Sequence, residues 1–367
     1  MKKIFCIIKN KFAGSKEAKN AIWIIGGRIA QMILSFFVGV LTARYLGPSN
    51  YGIMNYAAAY VAFFTAFCTL GINSVIIKDF VDHPDEQGEA IGTTLVLRAV
   101  SSLLSAIMII GIVMIIDRDE PITIVVTALC SVALVFQIAD TLNYWFQSRY
   151  QSKVSSMATL IAYMITSAYR IVLLIMQKDI RWFAFATSID YICVAGILFV
   201  AYKYEKGPKL TFSYQKAKQL LSKSYNYILA SMMVAIYGQT DKLMLKQMMD
   251  EANVGYYSLA STINNMWVFI LAAIIDSIYP TIIQYAKTDA KSFEKKNKQL
   301  YAIVIYVSLI VAVGFMVFGN WIIKLLSCMS KYNKYSGSSS YAIKNCLLVY
   351  DFFLSWNSEK CMGGINK

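Results

Sequence analysis

Nine runs of mostly apolar residues, each long enough to cross a lipid bilayer, constrain this chain more than any other feature. They lie at 21–43, 51–77, 90–116, 121–146, 155–176, 182–202, 225–248, 254–283 and 301–326. A helix needs about 20 residues to span the hydrocarbon core. Backbone crossing lipid must satisfy its own N–H and C=O groups, and runs this long are too long for strands, so helices follow. Composition agrees: 57% of residues are hydrophobic and only 15% charged, against roughly 25% charged in soluble domains. The mean hydropathy is +0.52. The expected fold class is all-α, a polytopic transmembrane helix bundle.

The polar connections divide the charge unevenly. One side carries the leader lysines 2, 3, 9, 11, 16 and 19, then Lys78, Arg149, Lys153, six lysines from Lys203 to Lys223, and five from Lys287 to Lys298. The other side has only Arg44, Arg118, Lys178, Arg181, Lys242 and Lys246. The positive-inside rule puts the N-terminus in the cytoplasm of a multi-pass cell (inner) membrane protein. One loop dissents: Asp79, Asp82, Asp85, Glu86 and Glu89 are acidic on the basic side. Acidic residues contribute little to the rule, so the orientation stands. The net charge of +14 is spread in clusters between apolar runs. That pattern fits anionic lipid headgroups and not a nucleic-acid groove. The leader's apolar stretch, Ile4 to Ile8, is too short for a cleaved signal.

The organisation reads as a basic cytoplasmic leader (1–19), an N-lobe of six transmembrane helices (20–202), a basic cytoplasmic linker (203–223), a partial C-lobe of three transmembrane helices (224–326) and an off-pattern tail (327–367), expected to be disordered. The lobes echo each other weakly. Asn50-Tyr51-Gly52 with Ala57 returns as Asn253-Val254-Gly255 with Ala260. Six spans separate the copies, as in parallel repeats related by an axis along the membrane normal. The break near Leu326 leaves the second repeat incomplete and suggests a truncation or frameshift there; a genuine irregular tail is the other reading.

Leu41-Thr42-Ala43-Arg44-Tyr45-Leu46-Gly47-Pro48-Ser49-Asn50-Tyr51-Gly52 resembles the first loop of bacterial polysaccharide/O-antigen flippases, the oligosaccharide flippase family of the multidrug/oligosaccharidyl-lipid/polysaccharide exporter superfamily. Leu70-Gly71-Ile72, Thr240 to Leu245, Val254 to Ala260 and Tyr279-Pro280 are similar to later landmarks of that family. The resemblance implies twelve to fourteen helices in two six-helix lobes around a central cavity. It also implies alternating access with a polyprenyl-diphosphate-linked oligosaccharide as cargo, carried from the cytoplasmic to the periplasmic leaflet for polysaccharide biosynthesis. A polysaccharide polymerase and anionic lipid headgroups are the further expected partners.

No Walker loop, G-x-S-x-G or H-E-x-x-H occurs, so no enzyme activity and no cofactor is expected. His83 is the one histidine, and the seven cysteines form no C-x-x-C pair, which leaves no readable metal site. Charges within spans are costly and mark function by default. Arg28 and Arg170, with Lys242 at the end of the seventh run, are the candidate phosphate contacts, since a diphosphate leaving water needs cationic partners. Asp140, Asp190 and Asp241 are candidate charge partners or ion-coupling groups. Asp140–Arg170 and Asp190–Arg170 are the plausible pairs. Arg98 reads as a snorkelling side chain near the cytoplasmic end of its run. Tyr144, Trp145, Tyr256 and Tyr257 could stack on sugars, although tyrosines near span ends are by default an interfacial belt.

Two rival functions remain. An ion-coupled drug/cation antiporter of the same superfamily needs acidic and aromatic groups for its cargo, and the in-span arginines argue against it. A non-functional truncated product is the other. A membrane glycosyltransferase would need large loops, and here the loops are short.

Overall fold

The structure is a computed structural model that describes residues 16–149, 151–262, 265 and 290–327. The eighth expected span therefore lies mostly outside the described residues, as do the tail and most of the leader. The chain forms two compact units, Met1–Val254 and Gly255–Lys367.

The first unit contains helices α1 (Lys16–Thr69), α2 (Asn73–Asp82), α3 (Gln87–Ile116), α4 (Pro121–Phe136), α5 (Asp140–Ser148), α6 (Ser152–Ile175), α7 (Ile180–Tyr204) and α8 (Tyr214–Met248). The second unit contains α9 (Ala290–Ser327). Residues 251–262 are also helical. Among the described residues six helices are long and apolar enough to cross a membrane: Gly26–Thr69, Pro84–Ile116, Pro121–Ser148, Ser152–Ile175, Ile180–Tyr204 and Asn297–Gly314.

At 54 residues α1 would run about 80 Å if straight, far more than a bilayer of about 45 Å with its headgroups. It is broken at Gly47, whose φ of 72° and ψ of 173° are open to glycine alone. Pro48 restarts the helix, because a first-turn residue needs no N–H donor. This break separates the first two expected spans.

Two other runs are interrupted. The second run was expected to continue to Ile77, but α1 ends at Thr69 and Leu70 and Gly71 adopt φ of 49° and 58°. A Cβ on Gly71 would sit 2.6 Å from the backbone nitrogen of Ile228, so α8 packs directly on the bare turn. The fourth run is cut by a single 3-10 turn, Gln137–Ala139, with Asp140 opening the next helix. The basic linker is also shorter than expected. Only residues 205–213 separate α7 from α8, since α8 begins at Tyr214. Likewise the basic stretch ending at Lys298 is helical from Ala290 and continuous with α9.

Side-chain contacts give the directions. Gly27 faces Ser156 and Tyr45 donates to the Lys178 carbonyl, so the first arm of α1 runs parallel to α6. Tyr56 meets Asp117, and Ser101 donates to the Cys68 carbonyl, so the second arm is antiparallel to α3. α8 runs parallel to α3, with Lys216 beside Glu86 and Lys246 beside Asp117. One end of the first unit thus gathers Gly47, Asp117, Lys178 and Lys246. The opposite end gathers Asp79, Glu86, Trp145, Tyr202 and Lys216.

Burial is inverted relative to a soluble fold. Large apolar side chains such as Leu104, Ile107 and Ile115 on α3 are exposed, where a soluble protein would bury them. Ser102, Ser105, Thr127, Ser131, Ser188 and Thr166 are buried, as expected where small residues let membrane helices approach. Ser188 donates to the Leu129 carbonyl at 2.6 Å, joining α7 to α4.

Gly71→Ala should lower the thermal-denaturation midpoint of the detergent-solubilised protein, at a cost of about 1–3 kcal/mol, because it meets both positive φ and the α8 backbone. Gly111→Ala, in open space, should leave the midpoint unchanged or raise it.

Candidate functional site

The in-span charges fall into two groups. Asp140 stands at the helix break, and Tyr144 lies one turn further along α5. From α3, the Arg98 guanidinium sits 5.6 Å from the centre of the Tyr144 ring and donates to Asn73 Oδ1. Arg98 and Asp140 attract one another, and the Arg28 charge also acts on Tyr144. Arg98 is only 2% exposed. It does not snorkel, because the turn at Leu70–Gly71 brings Asn73 to its guanidinium as an acceptor inside the bundle. Arg28 itself is exposed.

The second group joins α6 to α7. Thr166 donates to Asp190 Oδ1 at 3.3 Å, and Asp190 attracts Arg170. Arg170 Nε is buried with no hydrogen-bond partner. Of the two expected pairs, the structure brings the charges of Asp190 and Arg170 within reach of one another but not into a direct ion pair. It sets Asp140 with Arg98 in place of Arg170, because the 3-10 turn after α4 places Asp140 on the α3 side. Trp145, a candidate sugar platform, is fully buried and donates to Gln87 Oε1 at 3.0 Å, so it is not available for stacking on cargo.

On α8, Asp241 is exposed and Lys242 half-buried, and the two attract each other. One turn later the sequence reading missed a larger cluster. Lys246 is buried and bonds Asp117 Oδ1 at 2.9 Å and Glu120 Oε2. Its ammonium also lies 4.6 Å from the centre of the Tyr56 ring. Tyr56 donates to Asp117 Oδ2 at 3.0 Å, and Gln247 donates to both Tyr56 and Asp117. Burial works against the charged form of Glu120, but the bonds from Lys246 and Thr123 outweigh it and hold its pKa below the ordinary carboxylate value.

A matching cluster lies at the other end of α8. Lys216 is buried and bonds Asp79 Oδ2 and Glu86 Oε2, each at 2.9 Å, and His83 Nδ1 lies 3.5 Å from Asp79 Oδ1. Burial disfavours the Lys216 ammonium, but its hydrogen bonds to Glu86 and Asp79 prevail and its pKa is raised. The signal for this cluster was present in the sequence as the dissenting acidic loop. Asp79 and Glu86 of that loop are the partners of a lysine in the basic linker. Among the described residues no group of three or more His, Cys, Asp or Glu could hold a metal ion.

The profile of the polysaccharide biosynthesis protein family matches residues 18–286. The chain belongs to that family. A curated relative, "Putative O-antigen transporter" of Escherichia coli (strain K12), is 19% identical over 269 residues, which cover 72% of this chain and 64% of the relative. The chain thus spans less than two thirds of that relative's length. Among solved structures, an inward-facing multidrug resistance MATE family transporter of the MOP superfamily superposes with a TM-score of 0.60 at 14% identity, covering 86% of this chain and 76% of that one. An outward-facing MATE transporter gives 0.58 at 14% identity over 91% and 78%. These likenesses show the fold: a helical bundle of a multi-pass membrane protein.

Lys246→Ala should cost about 3–5 kcal/mol in thermal denaturation, since it strands Asp117 as a buried charge. Lys242→Ala, at a half-buried position, should stay within about 1 kcal/mol. Acidification should weaken the Glu120 contact. Its lowered pKa contributes stability above the unfolded value of about 4.3, and that stability is lost as pH falls through the folded value. The protection factor of the 117–120 amides, taken against the intrinsic exchange rate at each pH, should therefore fall at low pH, and Glu120→Gln should remove that fall.

Proposed function

We propose that the chain moves a lipid-diphosphate-linked oligosaccharide from the cytoplasmic to the outer leaflet by alternating access, serving polysaccharide biosynthesis. The observation that carries this reading is Arg170. It lies within a membrane-spanning helix, and its Nε is buried without a protein partner in a member of the polysaccharide biosynthesis family. A diphosphate must shed water to cross, and a guanidinium can replace that water with paired hydrogen bonds to phosphate oxygens. Arg28, exposed on α1, and Lys242, on α8, are the other proposed cargo contacts. The polyprenyl tail stays in lipid, which asks nothing polar of the helices.

Asp190 holds Arg170 through its charge, and Asp140 does the same for Arg98. These carboxylates and Asp241 are the proposed charge partners or coupling groups. The N-terminus faces the cytoplasm of the cell membrane in this reading, which places the Lys216 end of α8 inside and the Lys246 end outside. The six-helix lobe and the partial second lobe remain the proposed organisation. The likeness to multidrug transporters is one of fold, and arginines directed at cargo suit an anion better than a cationic drug.

Arg170→Ala, expressed in cells lacking their own copy, should abolish surface polysaccharide while leaving membrane insertion intact. Resistance to cationic drugs should not change. Wild-type polysaccharide from that variant would overturn the phosphate contact.

A further inference from the structure

We infer that α8 is a two-ended latch, with Lys246 closing one end of the transport path and Lys216 the other, so that each half-cycle opens one and tightens the other. The inference rests on the alternating-access reading above.

The two lysines are 30 positions apart on one helix, about 45 Å along its axis. That is about the thickness of a bilayer with its headgroups. Both are buried, each holds two carboxylates, and both sets of carboxylates flank the same helix, α3. Asp79 and Glu86 precede α3 in the chain, and Asp117 and Glu120 follow it. Between the clusters, α8 passes the bare turn at Gly71.

The Lys216 end is reinforced. Residues 208–213 cross α3 at Gly88 and Gly92, where a Cβ would collide with the Lys209 and Thr211 carbonyl oxygens. Thr211 N donates to the Gly88 carbonyl at 3.4 Å, and Ser213 N donates to Thr93 Oγ1 at 3.0 Å. The segment entering α8 is therefore docked on α3 and not a loose tether. The Lys246 end has aromatic and amide support in its place, from Tyr56 and Gln247.

An ion pair buried against a neighbouring helix is bistable: intact its charges offset one another, and once separated each charge must find water. A rigid α8 that tilts away from α3 at one end presses toward it at the other. The two pairs then trade off, and neither end opens unless its own pair breaks.

Hydrogen exchange on the full chain in lipid nanodiscs tests this. Lys246→Met removes the outer pair while keeping a long apolar side chain. Exchange should rise in 113–120 and 244–250. At the opposite end, 84–92 and 211–218, it should slow by about threefold or more, because the population shifts to the state with the Lys216 pair closed. Lys216→Met should give the mirror image, and Lys246→Arg should restore the wild-type pattern. Where Lys246→Met does not fold, Glu120→Gln, at a half-buried partner, should give the same pattern at smaller amplitude. Unchanged or faster exchange at the opposite end in these variants would overturn the latch and leave two local staples. The readout needs no cargo, so that result would leave the flippase reading standing, whereas wild-type polysaccharide from Arg170→Ala would not touch the latch.

Discussion

A charge held between apolar helices costs several kcal/mol unless a partner arrives from another element, and this requirement organises the first unit. Lys216 and Lys246 on α8 each draw in carboxylates from the segments flanking α3. Arg98 on α3 draws in Asn73 and Tyr144 from α2 and α5. Arg170 on α6 feels the charge of Asp190 on α7. Each pair ties two elements at a defined depth, which apolar packing between lipid-like side chains cannot do by itself. The Nε atoms of Arg98 and Arg170 are both buried without hydrogen-bond partners.

Backbone breaks make these pairings possible. The turn at Leu70–Gly71 brings Asn73 inward, and the 3-10 turn before Asp140 places that carboxylate on the α3 side. The glycine at 71 serves twice, since its missing Cβ also lets α8 approach. Small polar residues buried between the helices do the rest of the packing, while leucine, isoleucine and methionine face outward where lipid would lie.

Much of this was legible in the sequence. Apolar run length gave the helical class, and the Leu41–Gly52 stretch pointed to the family that the profile match then established. The breaks at Leu70 and Gln137 were not legible, because each falls inside a continuous apolar run and hydropathy is blind to φ. Arg98 was misjudged for the same reason: its acceptor, Asn73, belongs to a helix that the run-length reading had merged with the preceding one. The latch residues were overlooked because Lys216 and Lys246 entered only as topology charges. Their carboxylate partners lie about 130 positions away in sequence, and no local spacing rule reaches that far.

The central claim is that this chain carries an anionic lipid-linked saccharide across a membrane. Purified protein reconstituted into vesicles with a polyprenyl-diphosphate oligosaccharide tests it most directly, read as the fraction of saccharide accessible to an external sugar-specific lectin over time. The account predicts that lectin access, confined at first to the outer leaflet, extends to the whole pool, and that Arg170→Ala holds it at the outer-leaflet share. Access that never exceeds the outer-leaflet share with the unaltered protein, in vesicles where the same protein exchanges a cationic dye, would contradict it.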